Sequence, residues 1–117
     1  MELVVFDLDG TLLNSESGIS SYTRDTLAML AERNIAYTVA TGRTLHAARD
    51  ILDGHGFALP QIYKNGAMIW CPKATDYSHT SFLTQREIQH VLEAVMAQEV
   101  TPFIFTLAPG NYHAIYH

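Results

Sequence analysis

The sequence has little cysteine and little positive charge. Cys71 is the single cysteine among 117 residues, so the chain cannot form an internal disulfide, and a reducing cytoplasm fits that count. Seven Lys and Arg residues stand against twelve Asp and Glu residues, and the formal net charge is −5. Nucleic acids and anionic membrane surfaces are bound by clustered Lys and Arg. The composition therefore argues against both kinds of partner.

Long apolar runs are also absent. No stretch approaches the roughly 20 residues that a membrane-spanning helix requires. The N-terminus lacks a basic segment followed by an apolar one, which is the pattern of a signal peptide. We therefore expect a cytoplasmic protein. Hydrophobic residues still make up 48% of the chain, which is enough for a packed core.

The first part of the chain alternates between strand and helix patterns. Leu3–Phe6 is a short, continuous apolar run, which is typical of a strand covered on both faces. A helix is expected over Ser21–Arg33, capped by Ser20 or Ser21, and a strand over Ile35–Ala40. Thr44 is a candidate cap for a second helix. This alternation predicts an α/β fold with a Rossmann-like parallel sheet.

The pattern changes after Pro60. Predicted strands at 62–63, 67–70 and 77–82 are followed by a capping box, Thr84 to Glu87, and its helix. A further hairpin is expected from 101–107 and 113–117, joined through Pro109-Gly110-Asn111. This order is typical of an α+β module. We therefore predict a first part at residues 1–82 and a second, α+β module at 83–117.

Two carboxylates follow the first predicted strand. Asp7 and Asp9 are separated by one residue, so in an extended segment they point to the same side and repel. A hard cation such as Mg²⁺ would relieve that repulsion through oxygen ligands. An EF-hand loop is excluded, because its sixth position would be Leu12 and its twelfth Gly18. A sugar-nucleotide transferase with a metal-binding Asp-x-Asp pair remains open.

The same residue types suit chemistry at phosphorus. A carboxylate can attack phosphorus to form an aspartyl-phosphate, and a second acid can move the protons. Gly10 lets backbone N–H groups approach a phosphate closely. Thr41 and Gly42, after the second predicted strand, offer a hydroxyl and an N–H. The carboxyl ends of parallel strands share one edge of the sheet, where ligands bind.

Three segments resemble a known superfamily. "DLDGTLLNS", beginning at Asp7, and "VATGRT", which contains Thr41, resemble the first two signatures of the haloacid dehalogenase-like (HAD) hydrolases. The second has the form found in the Cof-type phosphatases, and "NGAMIW", beginning at Asn65, resembles a segment that they also carry. The resemblance implies a Mg²⁺-dependent phosphatase that acts on a small phosphorylated metabolite.

The resemblance also implies roles for individual residues. Asp7 would be the nucleophile and a metal ligand, and Asp9 the general acid/base, with its backbone carbonyl also on the metal. The residues expected around the phosphate or substrate are Leu8, Gly10, Thr41, Gly42, Arg43 and Asn65. Arg43 could instead pair with a nearby acid. Asn65 could equally be a turn residue.

Two features of the superfamily have no counterpart in the sequence. One is a lysine that neutralises the phosphate, and the other is an acidic pair that completes the metal site. Lys73 is the last lysine and lies in a predicted turn, and Asp76 is the last aspartate. We therefore expect an N-terminal part of a longer protein, inactive alone, with the beginning of a cap domain at 83–117. A phosphomutase and a non-catalytic binding or regulatory module are the alternatives.

Overall fold

The chain forms two compact units. The structure is a computed structural model that describes residues 1–108 and the backbone of 112–116. The first unit is Met1–Thr80 and the second is Ser81–His117. The predicted turn at Pro109-Gly110-Asn111 lies outside the described residues.

The first unit is an α/β arrangement, as predicted. Its elements in chain order are β1 (Leu3–Phe6), α1 (Ser21–Glu32), β2 (Ala36–Val39), α2 (Leu45–Leu52), β3 (Gln61–Tyr63), β4 (Met68–Cys71) and β5 (Asp76–Thr80). β1 and β2 pair in parallel, with Leu3 opposite Ala36 and Phe6 opposite Val39. A parallel bridge between Ala40 and Ile62 continues this pairing towards β3, and β3, β4 and β5 form an antiparallel sheet.

Both helices of this unit begin at the caps expected from the sequence. The Ser20 hydroxyl accepts a hydrogen bond from the Thr23 N–H at 3.2 Å, before α1. The Thr44 hydroxyl does the same for the Ala47 N–H, also at 3.2 Å, before α2. Each bond satisfies one N–H group that the helix itself leaves without a partner.

The core of the first unit lies between the helices and the sheet. Its largest fully buried side chains are Tyr63, Leu8, Leu27, Leu45 and Val39. Full burial of an apolar side chain of this size contributes about 1.5–3 kcal/mol. Leu27 is the fully buried residue that α1 contributes to this core.

The prediction that β1 is covered on both faces is wrong for the described residues. Leu3 is 55% exposed and Val5 is 48% exposed. Phe6 points to the other face, where it lines a cavity with Leu27 of α1. The described residues therefore cover only one side of this strand.

The second unit joins a helix to a hairpin. α3 (Gln85–Met96) begins with the predicted capping box, in which Thr84 and Glu87 exchange hydrogen bonds. β6 (Ile104–Ala108) pairs antiparallel with β7 (Tyr112–Tyr116). The apolar residues of α3 are at most partly buried: Leu92 and Val95 are half-buried, and Ile88, Val91 and Met96 are exposed. α1 and α3, the longest helices in the described part of the chain, have 12 residues, and no described helix has the length and hydropathy of a membrane span.

We expect Tyr63→Phe to destabilise the protein by about 1–3 kcal/mol, because it leaves a buried acceptor without a partner. The Tyr63 hydroxyl donates to Gln61 Oε1 at 2.6 Å, and both side chains are buried. Burial raises the pKa of Tyr63 to about 12, above its usual value of 10.0. The stability contributed by the neutral phenol is therefore present below pH 10 and is lost as the pH rises through about 12.

The test is denaturant unfolding of the wild-type and Tyr63→Phe proteins at pH 8 and at rising alkaline pH. The difference between their free energies of unfolding should narrow above pH 10, which is the ordinary pKa of the phenol. Tyr22→Phe is the matched control, because Tyr22 is 82% exposed. Equal stabilities of wild-type and Tyr63→Phe at pH 8 would contradict the prediction.

Candidate active site

The candidate site lies where β1 and β2 end. Asp7 follows β1 directly, and Thr41 follows the parallel bridge at Ala40. The Ala40 N–H donates to the Phe6 carbonyl at 2.9 Å, so the two strand ends are held side by side. Asp7 and Thr41 line one common cavity, as the parallel-sheet prediction required.

The loop after β1 folds back on itself and presents the Asp7 carboxylate. The Leu12 N–H donates to the Asp7 carbonyl at 3.2 Å, and the Leu13 N–H to the Leu8 carbonyl at 3.0 Å. The side chains of Leu8 and Leu12 are buried and anchor the loop in the core. Gly10 has φ +77°, a backbone conformation that residues other than glycine adopt only at an energetic cost. Local folding therefore explains the glycine at this position.

One backbone group expected to face a phosphate has a partner inside the protein. The Leu8 N–H donates to Asp7 Oδ1 at 2.8 Å. This bond orients the exposed Asp7 carboxylate. The Leu8 N–H is therefore already bonded to the Asp7 carboxylate, and it does not point to a ligand.

Asp9 and Arg43 form a bidentate ion pair. Arg43 Nε donates to Asp9 Oδ2 at 2.8 Å, and Arg43 Nη2 donates to Asp9 Oδ1 at 2.7 Å. These hydrogen bonds lower the pKa of Asp9 below its usual value of 3.8. They raise the pKa of Arg43 as well. Of the two roles left open for Arg43, the structure shows pairing with an acid.

The Thr41–Arg43 loop is braced by the short turn after β3. The Asn65 N–H donates to the Thr41 carbonyl at 3.1 Å, and the Lys64 N–H donates to the Arg43 carbonyl at 3.1 Å. The turn residues have positive φ angles, of 50° at Lys64, 56° at Asn65 and 98° at Gly66. Left-handed backbone at two residues other than glycine is costly, and the bonds to the neighbouring loop offset that cost.

Gly42 and Asn65 are in close contact. A Cβ atom on residue 42 would lie 3.1 Å from Asn65 Oδ1. The absence of a side chain at Gly42 therefore allows the amide of Asn65 to lie against this loop. The Thr41 hydroxyl oxygen accepts the Arg43 N–H at 3.1 Å, which leaves its hydrogen to donate to a ligand.

A cavity of about 390 Å³ connects these groups, and its volume suits a small ligand. It is lined by Asp7, Ala40, Thr41, Gly42, Ile62, Asn65 and Gly66. Four of the residues singled out in the sequence therefore meet at one cavity. Asp9, Gly10 and Arg43 are not among its lining residues, and the Leu8 side chain is buried.

Sequence reasoning did not identify every part of the site. It assigned no role to Lys64, whose N–H braces the loop, and it gave none to the carbonyl of Ala47, which accepts a hydrogen bond from Arg43 Nη1 at 3.1 Å. The Asn65-Gly66 pair signalled a turn, but not the loop against which the turn packs. Backbone contacts of this kind leave no signal in residue type.

The described residues supply only part of a divalent-metal site. Among residues 1–108, no three His, Cys, Asp or Glu side chains cluster closely enough to hold a metal ion. Both side-chain oxygens of Asp9 are engaged by Arg43. Mg²⁺ requires a near-ideal octahedron of oxygen ligands. Asp7 is the carboxylate that fits such an ion, and more oxygen ligands are needed to complete the site.

A family profile and several curated relatives match this chain. The sequence profile of haloacid dehalogenase-like hydrolases matches residues 4–115. "Phosphatase YwpJ" of Bacillus subtilis is 34% identical over 86 residues, which are 74% of this chain and 30% of that protein. An "HMP-PP phosphatase" of Citrobacter koseri is 42% identical over 67 residues, covering 57% of this chain and 25% of that protein.

Solved structures show the same fold. A haloacid dehalogenase-like hydrolase from B. subtilis superposes with a TM-score of 0.76 and 27% identity, covering 92% of this chain and 38% of that one. The chain spans only 23–30% of the length of curated relatives that it matches. With two signature loops at adjacent strand ends and a family profile over nearly its whole length, this chain belongs to the haloacid dehalogenase-like hydrolases, in their Cof-type phosphatase subfamily.

Proposed function

We propose that the protein is a phosphatase that hydrolyses a small phosphorylated metabolite through an aspartyl-phosphate on Asp7. The observation that carries this proposal is the cavity shared by the Asp7 carboxylate, the Thr41 hydroxyl and the Gly42 and Asn65 loops. A nucleophilic carboxylate and neutral hydrogen-bond donors at one cavity suit attack on a phosphate ester.

The reaction has two displacement steps. In the first, a carboxylate oxygen of Asp7 bonds to phosphorus, the ester P–O bond breaks, and the leaving oxygen takes the proton of protonated Asp9. In the second, water attacks phosphorus, its proton goes to a base, and the bond to Asp7 breaks to release inorganic phosphate. The net change is addition of one water to the ester.

Three parts of the chain hold the phosphoryl group in this proposal. The Thr41 hydroxyl and the Gly42 N–H donate to its oxygens, and the Asn65 amide lines the mouth of the cavity. Gly10 keeps the loop after Asp7 open to the phosphate. Leu8 acts through its N–H, which orients the Asp7 carboxylate at 2.8 Å.

Asp9 is the proposed proton carrier. The ion pair with Arg43 favours its carboxylate form, since the pKa of Asp9 is lowered by those hydrogen bonds. That form suits the second step, in which a base takes a proton from water. Donation to the leaving oxygen requires a proton on Asp9, which the pair with Arg43 opposes.

Membership of this superfamily generally implies a divalent metal, and we propose Mg²⁺. Asp7 would contribute a side-chain oxygen and Asp9 its backbone carbonyl. When bound, such an ion would supply positive charge next to the phosphate oxygens. The remaining ligands would lie outside the described residues.

The substrate class follows from the relatives. Two are named as 5-amino-6-(5-phospho-D-ribitylamino)uracil phosphatases and others as HMP-PP phosphatases. We therefore propose a small phosphorylated metabolite and a cytoplasmic location, which the single free cysteine also suits. Residues 83–117 are proposed to begin a cap domain that selects the substrate, and a phosphomutase is the alternative within the same chemistry.

The first prediction concerns the nucleophile. Asp7→Asn in the intact protein that carries this sequence should reduce turnover by roughly 10³-fold or more, because an amide cannot form the acyl phosphate. Release of inorganic phosphate is the measurement. Asp25→Asn is the matched control, since Asp25 lies exposed on α1 in a surface ion pair. Undiminished turnover in Asp7→Asn would disprove the role of Asp7.

The second prediction concerns the phosphate cavity. Gly42→Ala should weaken binding of inorganic phosphate several-fold, because its Cβ would lie 3.1 Å from Asn65 Oδ1 and shift the Asn65 side chain at the cavity. The affinity can be measured by NMR titration. Gly18→Ala is the control, since its Cβ would meet its nearest neighbour at 3.8 Å. The same affinity in Gly42→Ala and wild-type would contradict the assignment of this cavity to phosphate.

The third prediction concerns the 117-residue chain alone, which should hydrolyse p-nitrophenyl phosphate poorly with or without Mg²⁺. No lysine or arginine lines the described cavity. Each missing charge-stabilising donor costs roughly 10²–10³ in rate. Robust Mg²⁺-dependent turnover that disappears in Asp7→Asn would show instead that the chain forms a complete site.

A further inference from the structure

Arg43 is held through its backbone and through its guanidinium group. Its N–H donates to the Thr41 hydroxyl at 3.1 Å, and its carbonyl accepts the Lys64 N–H at 3.1 Å. In the guanidinium group, Nη1 donates to the carbonyl of Ala47, in the first turn of α2, at 3.1 Å. The guanidinium is therefore fixed to the fold independently of Asp9.

The other two nitrogens of the guanidinium donate hydrogen bonds to Asp9. Nε and Nη2 reach the two carboxylate oxygens at 2.8 and 2.7 Å, which is the geometry of the strongest charge-assisted pairs. The Asp9 side chain is 56% exposed, whereas that of Arg43 is 24% exposed. The better-buried partner thus sets the orientation of the more exposed one.

A direct role for Arg43 on the phosphate fits these contacts poorly. Arg43 is not among the residues that line the cavity next to Asp7. Three of its five guanidinium N–H groups, one on each nitrogen, donate to protein oxygens. Nε carries a single N–H group, so a phosphate that bound Arg43 through Nε would have to displace Asp9.

We propose that Arg43 is a positioning residue, which ties the Asp9 carboxylate to α2 and so orients it to take a proton from the water that attacks phosphorus. This inference rests on the proposed phosphatase function. Arg43 acts through Asp9 and does not contact the substrate. Its planar fork is the essential feature, because a lysine ammonium at the same site supplies charge without a fixed orientation.

Steady-state kinetics of the intact protein separate positioning from substrate binding. Arg43→Lys should lower kcat roughly 10- to 100-fold, part of what general acid–base catalysis supplies, and should change KM by less than about twofold. Arg24→Lys is the matched control, since Arg24 lies exposed on α1 in a surface ion pair. A large rise in KM with kcat preserved would assign Arg43 to the substrate and overturn the proposal.

A second measurement tests whether Arg43 acts through Asp9. In an Asp9→Asn background, Arg43→Lys should change the residual kcat by less than about twofold, because the group to be oriented is already gone. An undiminished effect of Arg43→Lys in that background would mean that the arginine acts elsewhere, and the proposal would fail.

A third measurement does not depend on turnover. In the 117-residue chain, the ¹⁵Nε resonance of Arg43 should keep its position when inorganic phosphate saturates the cavity, and Arg43→Lys should bind phosphate with unchanged affinity. A resonance that moves to a phosphate-bound position would overturn the proposal.

The two proposals can fail separately. If the wild-type protein releases phosphate from esters and Arg43→Lys leaves kcat unchanged, the positioning role fails while the proposed function stands. If the cavity binds no phosphate at all, the positioning role fails with the function on which it rests.

Discussion

The site depends on the parallel pairing of β1 with β2. Parallel strands end at the same edge of a sheet, and the bond from the Ala40 N–H to the Phe6 carbonyl, at 2.9 Å, keeps these two ends adjacent. Asp7 and Thr41 therefore meet although 33 residues lie between them in the chain. Without this pairing, neither loop would have a partner across a cavity.

Backbone hydrogen bonds then define the shape of the cavity. The turn at Lys64–Gly66 donates two N–H groups to the Thr41–Arg43 loop, and it adopts left-handed backbone at all three positions to do so. Gly42 allows the Asn65 side chain to lie against it. The walls of the cavity are thus held by main-chain groups, and Asp7, Thr41 and Asn65 are among the residues that line it.

Electrostatics distinguish the two carboxylates of the Asp-x-Asp pair. Asp7 is exposed and oriented by one N–H group, whereas Asp9 accepts two hydrogen bonds from the Arg43 guanidinium. One charge of the pair is therefore compensated within the described residues, and the other remains available for a cation or an electrophile. The two neighbouring acids consequently have different environments.

Local order was largely predictable from the sequence. The caps at Ser20, Thr44 and Thr84 were visible because a side chain bonds a backbone group only three residues away. The alternation of strand and helix predicted the parallel sheet, and with it the meeting of Asp7 and Thr41. The signature segments indicated the family because they contain the residues of the site themselves.

By itself, then, the sequence determined the elements, their caps and the identity of the residues at the strand ends. Only the tertiary structure decided that Arg43 binds Asp9, since those residues are 34 positions apart and a guanidinium can serve a phosphate or an acid equally well. It likewise decided that Lys64 and Asn65 brace the Thr41–Arg43 loop, and that Leu3 and Val5 stay exposed. Such contacts depend on which surfaces meet in space, and residue type and spacing along the chain do not encode that directly.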